Sequence, residues 1–164
     1  MPQARQQSLV LSEYLPYQLV NLAKRVSDAC NREYGVPYGI SIAEWRVLAQ
    51  LGQHDALHSR GLGDITFMDK SRVSRALQRL ESKGYLFRRT DPEDNRASFL
   101  SLTNKGKTLY QQIVPRALSW EKGFLDVLTD REQRDLRRIL AKLEGRLSEL
   151  DTCATAKAGT TNVR

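Results

Sequence analysis

Asp69-Lys70-Ser71-Arg72-Val73-Ser74-Arg75-Ala76-Leu77-Gln78-Arg79-Leu80-Glu81-Ser82-Lys83-Gly84 carries its own start and stop signals. Asp69 is a good N-cap, because its carboxylate can accept from a backbone N–H of the first turn. Gly84 is the residue type that most readily takes the left-handed conformation ending a helix. Between them, Val73, Ala76, Leu77 and Leu80 gather within roughly 60° of Val73 when each residue advances about 100°. Ser71, Arg75 and Gln78 fall on the opposite face, with Arg72, Ser74 and Arg79 on its flanks. One face packs, and the other presents hydroxyls, an amide and guanidiniums. Those groups suit the DNA major groove, where Arg pairs bidentately with guanine, Gln with adenine, and Ser with base edges or phosphate. An ordinary amphipathic surface helix would explain the apolar face equally well, so the surroundings must decide.

The surroundings are basic. The chain has 164 residues and a net charge of +7. Lys70 to Arg89 contains seven bases (Lys70, Arg72, Arg75, Arg79, Lys83, Arg88, Arg89) and one acid, Glu81, so this stretch alone contributes +6. A basic stripe on a near-neutral body is the footprint of a polyanion binder. Downstream, Tyr85 to Thr90 and Ala97 to Leu102 read as strands flanking the turn formers Asp91-Pro92-Glu93-Asp94-Asn95, a ribbon with a charged tip. Upstream, Ser41-Ile42-Ala43-Glu44 is a capping box opening a helix that carries Trp45, Val47, Leu48 and Leu51. A short helix is expected around Gly61 to Phe67. Three helices followed by a ribbon is the order of a winged helix-turn-helix, mostly α with a small two- or three-stranded β wing.

Asp94-Asn95-Arg96, then Leu102-Thr103 and Gly106, fit the pattern D-x-R-x-x-x-x-x-L-T-x-x-G. This resembles the wing signature of the MarR family of bacterial transcription regulators. Met68 to Arg75, with Leu80-Glu81-Ser82-Lys83-Gly84-Tyr85-Leu86, is similar to that family's recognition helix and its exit into the wing. The resemblance covers roughly residues 10 to 150. It implies that Arg96 at the wing tip enters the minor groove, where a narrow groove concentrates negative potential. Asp94 would hold that guanidinium through a charge-assisted hydrogen bond, or cap the turn. One departure stands out: the short second helix carries Gly61-Leu62-Gly63, where the family has a Leu-Ala pair. The DNA-binding residues expected are Lys70, Ser71, Arg72, Ser74, Arg75, Gln78, Arg79, Arg88, Asp94 and Arg96. Lys83 is a possible further phosphate contact.

The remaining helices exceed the needs of a small winged domain. Leu15, Leu19, Leu22, Val26 and Cys30 form an apolar stripe between Leu9 and Tyr34, with Pro16 predicting a kink or a late start. A long helix from Asn104 to about Leu128 is bent by Pro115. Thr129-Asp130-Arg131-Glu132 is a second capping box. Beyond it Leu136, Leu140, Leu143, Leu147 and Leu150 are spaced 4-3-4-3, a coiled-coil seam that wants a partner. An antiparallel pairing within one chain would satisfy it; the resemblance implies a homodimer. Residues 39–103 are then the DNA-binding domain and 9–38 with 104–150 the dimerisation region, with 1–8 and 151–164 disordered.

The resemblance also implies a small, often aromatic or anionic effector bound between the dimer helices and the winged domain. Tyr17, Tyr38, Trp45 and Arg46 offer stacking surface and an anion partner. The alternatives are that Trp45 belongs to the core and that Arg46 pairs with an acid such as Asp28. Cys30 continues an apolar stripe, where a buried thiol is ordinarily inert, although some family members sense oxidants through cysteine. Two cysteines and two histidines supply no four-ligand zinc site, and no nucleophile–base pair or phosphate loop is recognisable, so neither cofactor, metal nor enzymatic activity is expected. No apolar run approaches the ~18 residues of a membrane span, and the first residues lack the order of a signal peptide, which makes the cytoplasm the expected location. The sequence therefore reads as a DNA-binding repressor of a pseudo-palindromic operator, released by an effector. A non-specific architectural DNA binder and a cysteine-based redox sensor are the competing readings.

Overall fold

The computed structural model describes the backbone of residues 8–90 and 98–159, and side chains as far as residue 152. The described elements are α1 (Leu15–Cys30), α2 (Ile42–Gly52), β1 (Leu57–His58), α3 (Leu62–Thr66), α4 (Lys70–Ser82), β2 (Leu86–Thr90), β3 (Ser98–Leu102), α5 (Asn104–Leu125) and α6 (Asp130–Gly159). The chain divides into two compact units, Met1–Trp120 and Glu121–Arg164.

The first unit is a mostly helical winged helix-turn-helix. Pro16 stands in the first turn of α1, where its missing N–H costs nothing, so the helix starts late rather than kinking. A π turn (Asn31–Gly35) and a 3-10 turn (Val36–Tyr38) follow, and Gly39 ends them at φ +65°. The capping box then opens α2: Ser41 Oγ accepts from the Glu44 N–H at 3.2 Å, and Glu44 Oε2 accepts from the Ser41 N–H at 2.7 Å. Val47, Leu48 and Leu51 of α2, Leu62 of α3, Val73, Ala76, Leu77 and Leu80 of α4, and Leu86, Leu100 and Leu102 of the sheet form the core. Each fully buried Leu contributes on the order of 2 kcal/mol. Leu109 and Ile113 of α5 close it.

The sheet is antiparallel and three-stranded, in the order β1-β3-β2. Leu57 pairs with Leu100 and Leu86 with Leu102. The third strand, Leu57–His58, carries no strand signal in the sequence; two residues are too few to show alternation, and their partner lies more than forty positions away.

The L-T-x-x-G run of the wing signature is a clamp. Thr103 Oγ1 donates to the Gly84 carbonyl at 2.7 Å and accepts from the Gly106 N–H at 3.1 Å, while the Thr103 N–H reaches Tyr85 O at 3.1 Å. A Cβ at Gly106 would land on the Tyr85 carbonyl oxygen, so this close approach of α5 to the exit of α4 requires glycine.

In the second unit the Thr129 box forms as read: Glu132 Oε2 accepts from the Thr129 N–H at 2.8 Å. The helix it opens continues to Gly159, past Asp151, where a loose tail was expected. Residues 1–7 and 160–164, the rest of the segments expected to be disordered, lie outside the described residues.

Candidate nucleic-acid interface

Asp69 caps α4 as its sequence requires, with Oδ1 accepting from the Arg72 N–H at 2.8 Å. The two faces of α4 are those its periodicity predicts. Val73, Ala76, Leu77 and Leu80 are buried, and Lys70, Ser71, Arg72, Ser74, Arg75, Gln78 and Arg79 are exposed. Burial of one face against α2 and the sheet fixes the helix axially, so the polar face is presented as a rigid unit. Ser71, Arg75 and Gln78 share that face, turned outward from the core.

A groove of about 540 Å³ runs between the α3–α4 turn and the wing. Arg60, Lys70, Ser74 and Arg88 line it, together with Asp64 and Asp69. Arg88 donates from Nε to Glu81 Oε2 at 2.9 Å, so this cation is held at the groove rather than swinging freely. The pair is about one-third to two-fifths exposed, a setting in which ion pairs stabilise little. Arg60 was missed by sequence reasoning, because it lies outside the basic stripe and only the fold brings it to Lys70. Asp94 and Arg96, the expected wing-tip pair, lie outside the described residues.

Lys83 occupies a different place from the one the charge count suggested. Its Nζ sits 2.5 Å from Glu44 Oε1 and 2.8 Å from the Gly39 carbonyl. Glu44 is 2% exposed. Burial pushes the Glu44 carboxyl up, but Lys83 and the Ser41 cap together outweigh it and hold it below the usual carboxylate range. The cation at the end of α4 thus anchors that helix to the start of α2. Charge counting could not separate this structural lysine from its neighbours, since its partner lies 39 positions away.

The four residues considered for an effector do not converge. Trp45 is half-buried against the core, its ring centroid 5.4 Å from Tyr34 and 6.2 Å from Tyr110. Tyr38 donates to Gln112 O at 3.3 Å and lies under the Arg116 guanidinium, and Tyr17 is exposed on α1. Arg46 does open on a cleft, of about 460 Å³, between α1 and the start of α2. Lys24, Asp28, Arg72 and Met68 also line it. Asp28 is paired with Lys24 at 2.6 Å, not with Arg46, whose Nη1 donates to the Thr66 carbonyl at 3.2 Å. Cys30 is a half-buried free thiol beside the Tyr34 phenol, which burial first, and then that thiol, push above its ordinary value.

Comparison with known proteins agrees with this geometry. Residues 38–97, which hold α2 to the wing, match the model of the MarR family. Over that stretch the chain is similar to the MarR family. It is 29% identical over 138 residues to the HTH-type transcriptional regulator YdgJ of Bacillus subtilis, covering 82% of this chain and 80% of that one. A MarR/EmrR family transcriptional regulator from Acinetobacter sp. superposes with a TM-score of 0.77 at 27% identity, over 86% of this chain and 99% of the other. PcaV of Streptomyces coelicolor, a transcriptional regulator solved with its natural ligand, shares the fold at a TM-score of 0.72 and 22% identity, over 85% and 98% of the two chains. The α4 face described above lies within the stretch that matches the MarR model. Among the described residues no cluster of three or more His, Cys, Asp and Glu could hold a metal, and no helix is long and apolar enough to cross a membrane.

Proposed function

We propose that this protein is a sequence-specific transcriptional repressor that binds a pseudo-palindromic operator as a homodimer and leaves it when a small anionic ligand binds. The observation that carries the reading is the outward face of α4, where Ser71, Arg75 and Gln78 stand together on a helix whose other face is core. A binder of phosphate alone would need only Lys and Arg there; hydroxyl and amide groups are what base edges require. Arg72, Ser74, Arg79, Lys70 and Arg88 serve the flanking backbone, and Arg96, with Asp94, the adjacent minor groove.

Support for the dimer comes from faces without cover. No residue of α1 is buried, and Leu15, Leu19, Val20 and Leu22 are exposed, as are Leu136, Leu140, Leu143, Leu147 and Leu150 of α6. Apolar stripes of that extent call for a second copy. Residues 39–103 would then bind DNA while 9–38 and 104–150 join the copies, setting two recognition helices about one helical turn apart. Support for the ligand comes from the cleft beside Arg46, where Lys24, Arg46 and Arg72 outnumber Asp28, and from PcaV, which holds a ligand in a related fold. The protein acts by binding, in the cytoplasm with the chromosome.

Selection of duplexes from a random pool tests the reading. The chosen duplex should survive competition by random DNA with a margin of about 10³ or more. Small aromatic acids should then release it, and sedimentation should give a dimer. Binding that random duplex abolishes at equal concentration would favour an architectural protein instead.

A further inference from the structure

Phe67, in the turn between α3 and α4, is the one non-glycine residue with positive φ among the described residues, at φ 53° and ψ 47°. It is also 79% exposed. Both features are unfavourable for the fold taken alone. The left-handed region brings Cβ against the following carbonyl and is ordinarily left to glycine, and an exposed ring returns nothing to the core.

The turn itself dictates the conformation. The Phe67 N–H bonds back to the Asp64 and Gly63 carbonyls, and the Met68 N–H reaches Gly63 O at 2.9 Å. Thr66 is buried, with its hydroxyl on the Leu62 carbonyl, and Asp69 is committed to capping α4. Glycine would meet the backbone demand with less strain, so the phenyl group has a use outside the fold.

Its position names the use. Asp64 and Met68 on either side of it, and Lys70 three residues on, line the groove that also gathers Arg60 and Arg88. The turn that carries the exposed ring thus adjoins a groove lined by three bases and by Asp64 and Asp69, directly before the first turn of α4. We propose that Phe67 is a DNA-contacting residue of this regulator, making an apolar contact to the duplex, with a thymine C5-methyl or a deoxyribose, beside the bases read by α4. This rests on α4 entering the groove. An apolar side chain on a thymine methyl discriminates among base pairs, whereas packing on sugar adds affinity at any sequence.

Phe67→Gly and Phe67→Asn test it, since both residues accept the left-handed conformation. Each should melt about 2 °C or more above the wild type, because strain is relieved. Each should nevertheless bind the duplex chosen by the wild type about tenfold more weakly. Replacing thymines of that duplex by uracil one at a time separates the two contacts. A single position at which wild type weakens and Phe67→Gly does not identifies the methyl; weakening by the variant at every position alike identifies the sugar. Variants that bind as tightly as the wild type overturn the proposal while leaving the recognition helix intact. A change in self-association of the variants would overturn it too, by giving the ring to a second copy. Failure of the wild type to prefer its selected duplex would sink the underlying reading along with it.

Discussion

Lys83→Met removes a cation that belongs to the basic stripe of the sequence and that the fold pairs with the buried Glu44. The ammonium lies 2.5 Å from a carboxylate only 2% exposed. Breaking a buried pair on one side costs about 3–5 kcal/mol, because the surviving charge is left uncompensated. Lys83 is itself 35% exposed, so water screens part of the attraction, and about 2–3 kcal/mol is the reasonable figure. For a chain of this length that corresponds to a fall in Tm of roughly 5–10 °C, measured at fixed protein concentration because the proposed dimer would couple to unfolding. The pH dependence carries a sign. In the wild type Glu44 titrates below its ordinary range, so its stabilisation is present above an unfolded value of about 4.3 and is lost as the pH falls through the folded one. Without Lys83 the upward push of burial is opposed only by Ser41, so the variant has less of this stabilisation to lose as the pH falls. The gap between the two proteins should be widest near neutrality and close on acidification. DNA binding supplies the second readout. If Lys83 neutralised a phosphate, its loss would flatten the dependence of log K on log salt by about 0.9; here the slope should not change. An unshifted Tm with a flattened slope would refute the anchoring role.

Two further outcomes separate fold from function. Gly106→Ala drives a methyl group onto the Tyr85 carbonyl and should cost roughly 1–2 kcal/mol net of its gain in helix propensity, whereas Gly123→Ala, in open space on the same helix, should gain up to about 1 kcal/mol; urea midpoints read both. Arg96→Ala should weaken DNA binding strongly while leaving Tm unchanged, as gel shift and melting on one preparation would reveal, and a lowered Tm would mean a role in the fold instead.

Features encoded within a turn or two were legible. Ser41, Asp69, Thr129 and Gly84 each announce a helix end through their own backbone chemistry, and all four ends lie where those residues stand. The two faces of α4 followed from periodicity, because a helix half-buried on a core has little freedom in which side it shows. What escaped was non-local. Strand β1 exists only because Leu57 and His58 meet β3, and Lys83 differs from Arg79 only by the Glu44 that reaches it. Trp45 was ambiguous for a related reason: an aromatic on a buried stripe reads alike as ligand platform or as core, and the rings of Tyr34 and Tyr110 decide for the core. Arg46 kept its place at a cleft, but in company with Lys24 and Arg72 rather than with the tyrosines.

Base reading by α4 is tested most directly by measuring wild type and Arg75→Ala against the selected duplex and a scrambled one at the same salt concentration. The variant should lose about tenfold or more on the selected duplex and far less on the scrambled one, because an exposed guanidinium that reads guanine contributes chiefly to discrimination. An equal loss on both duplexes would mean that Arg75 touches only phosphate, and that the outward face of α4 does not read sequence.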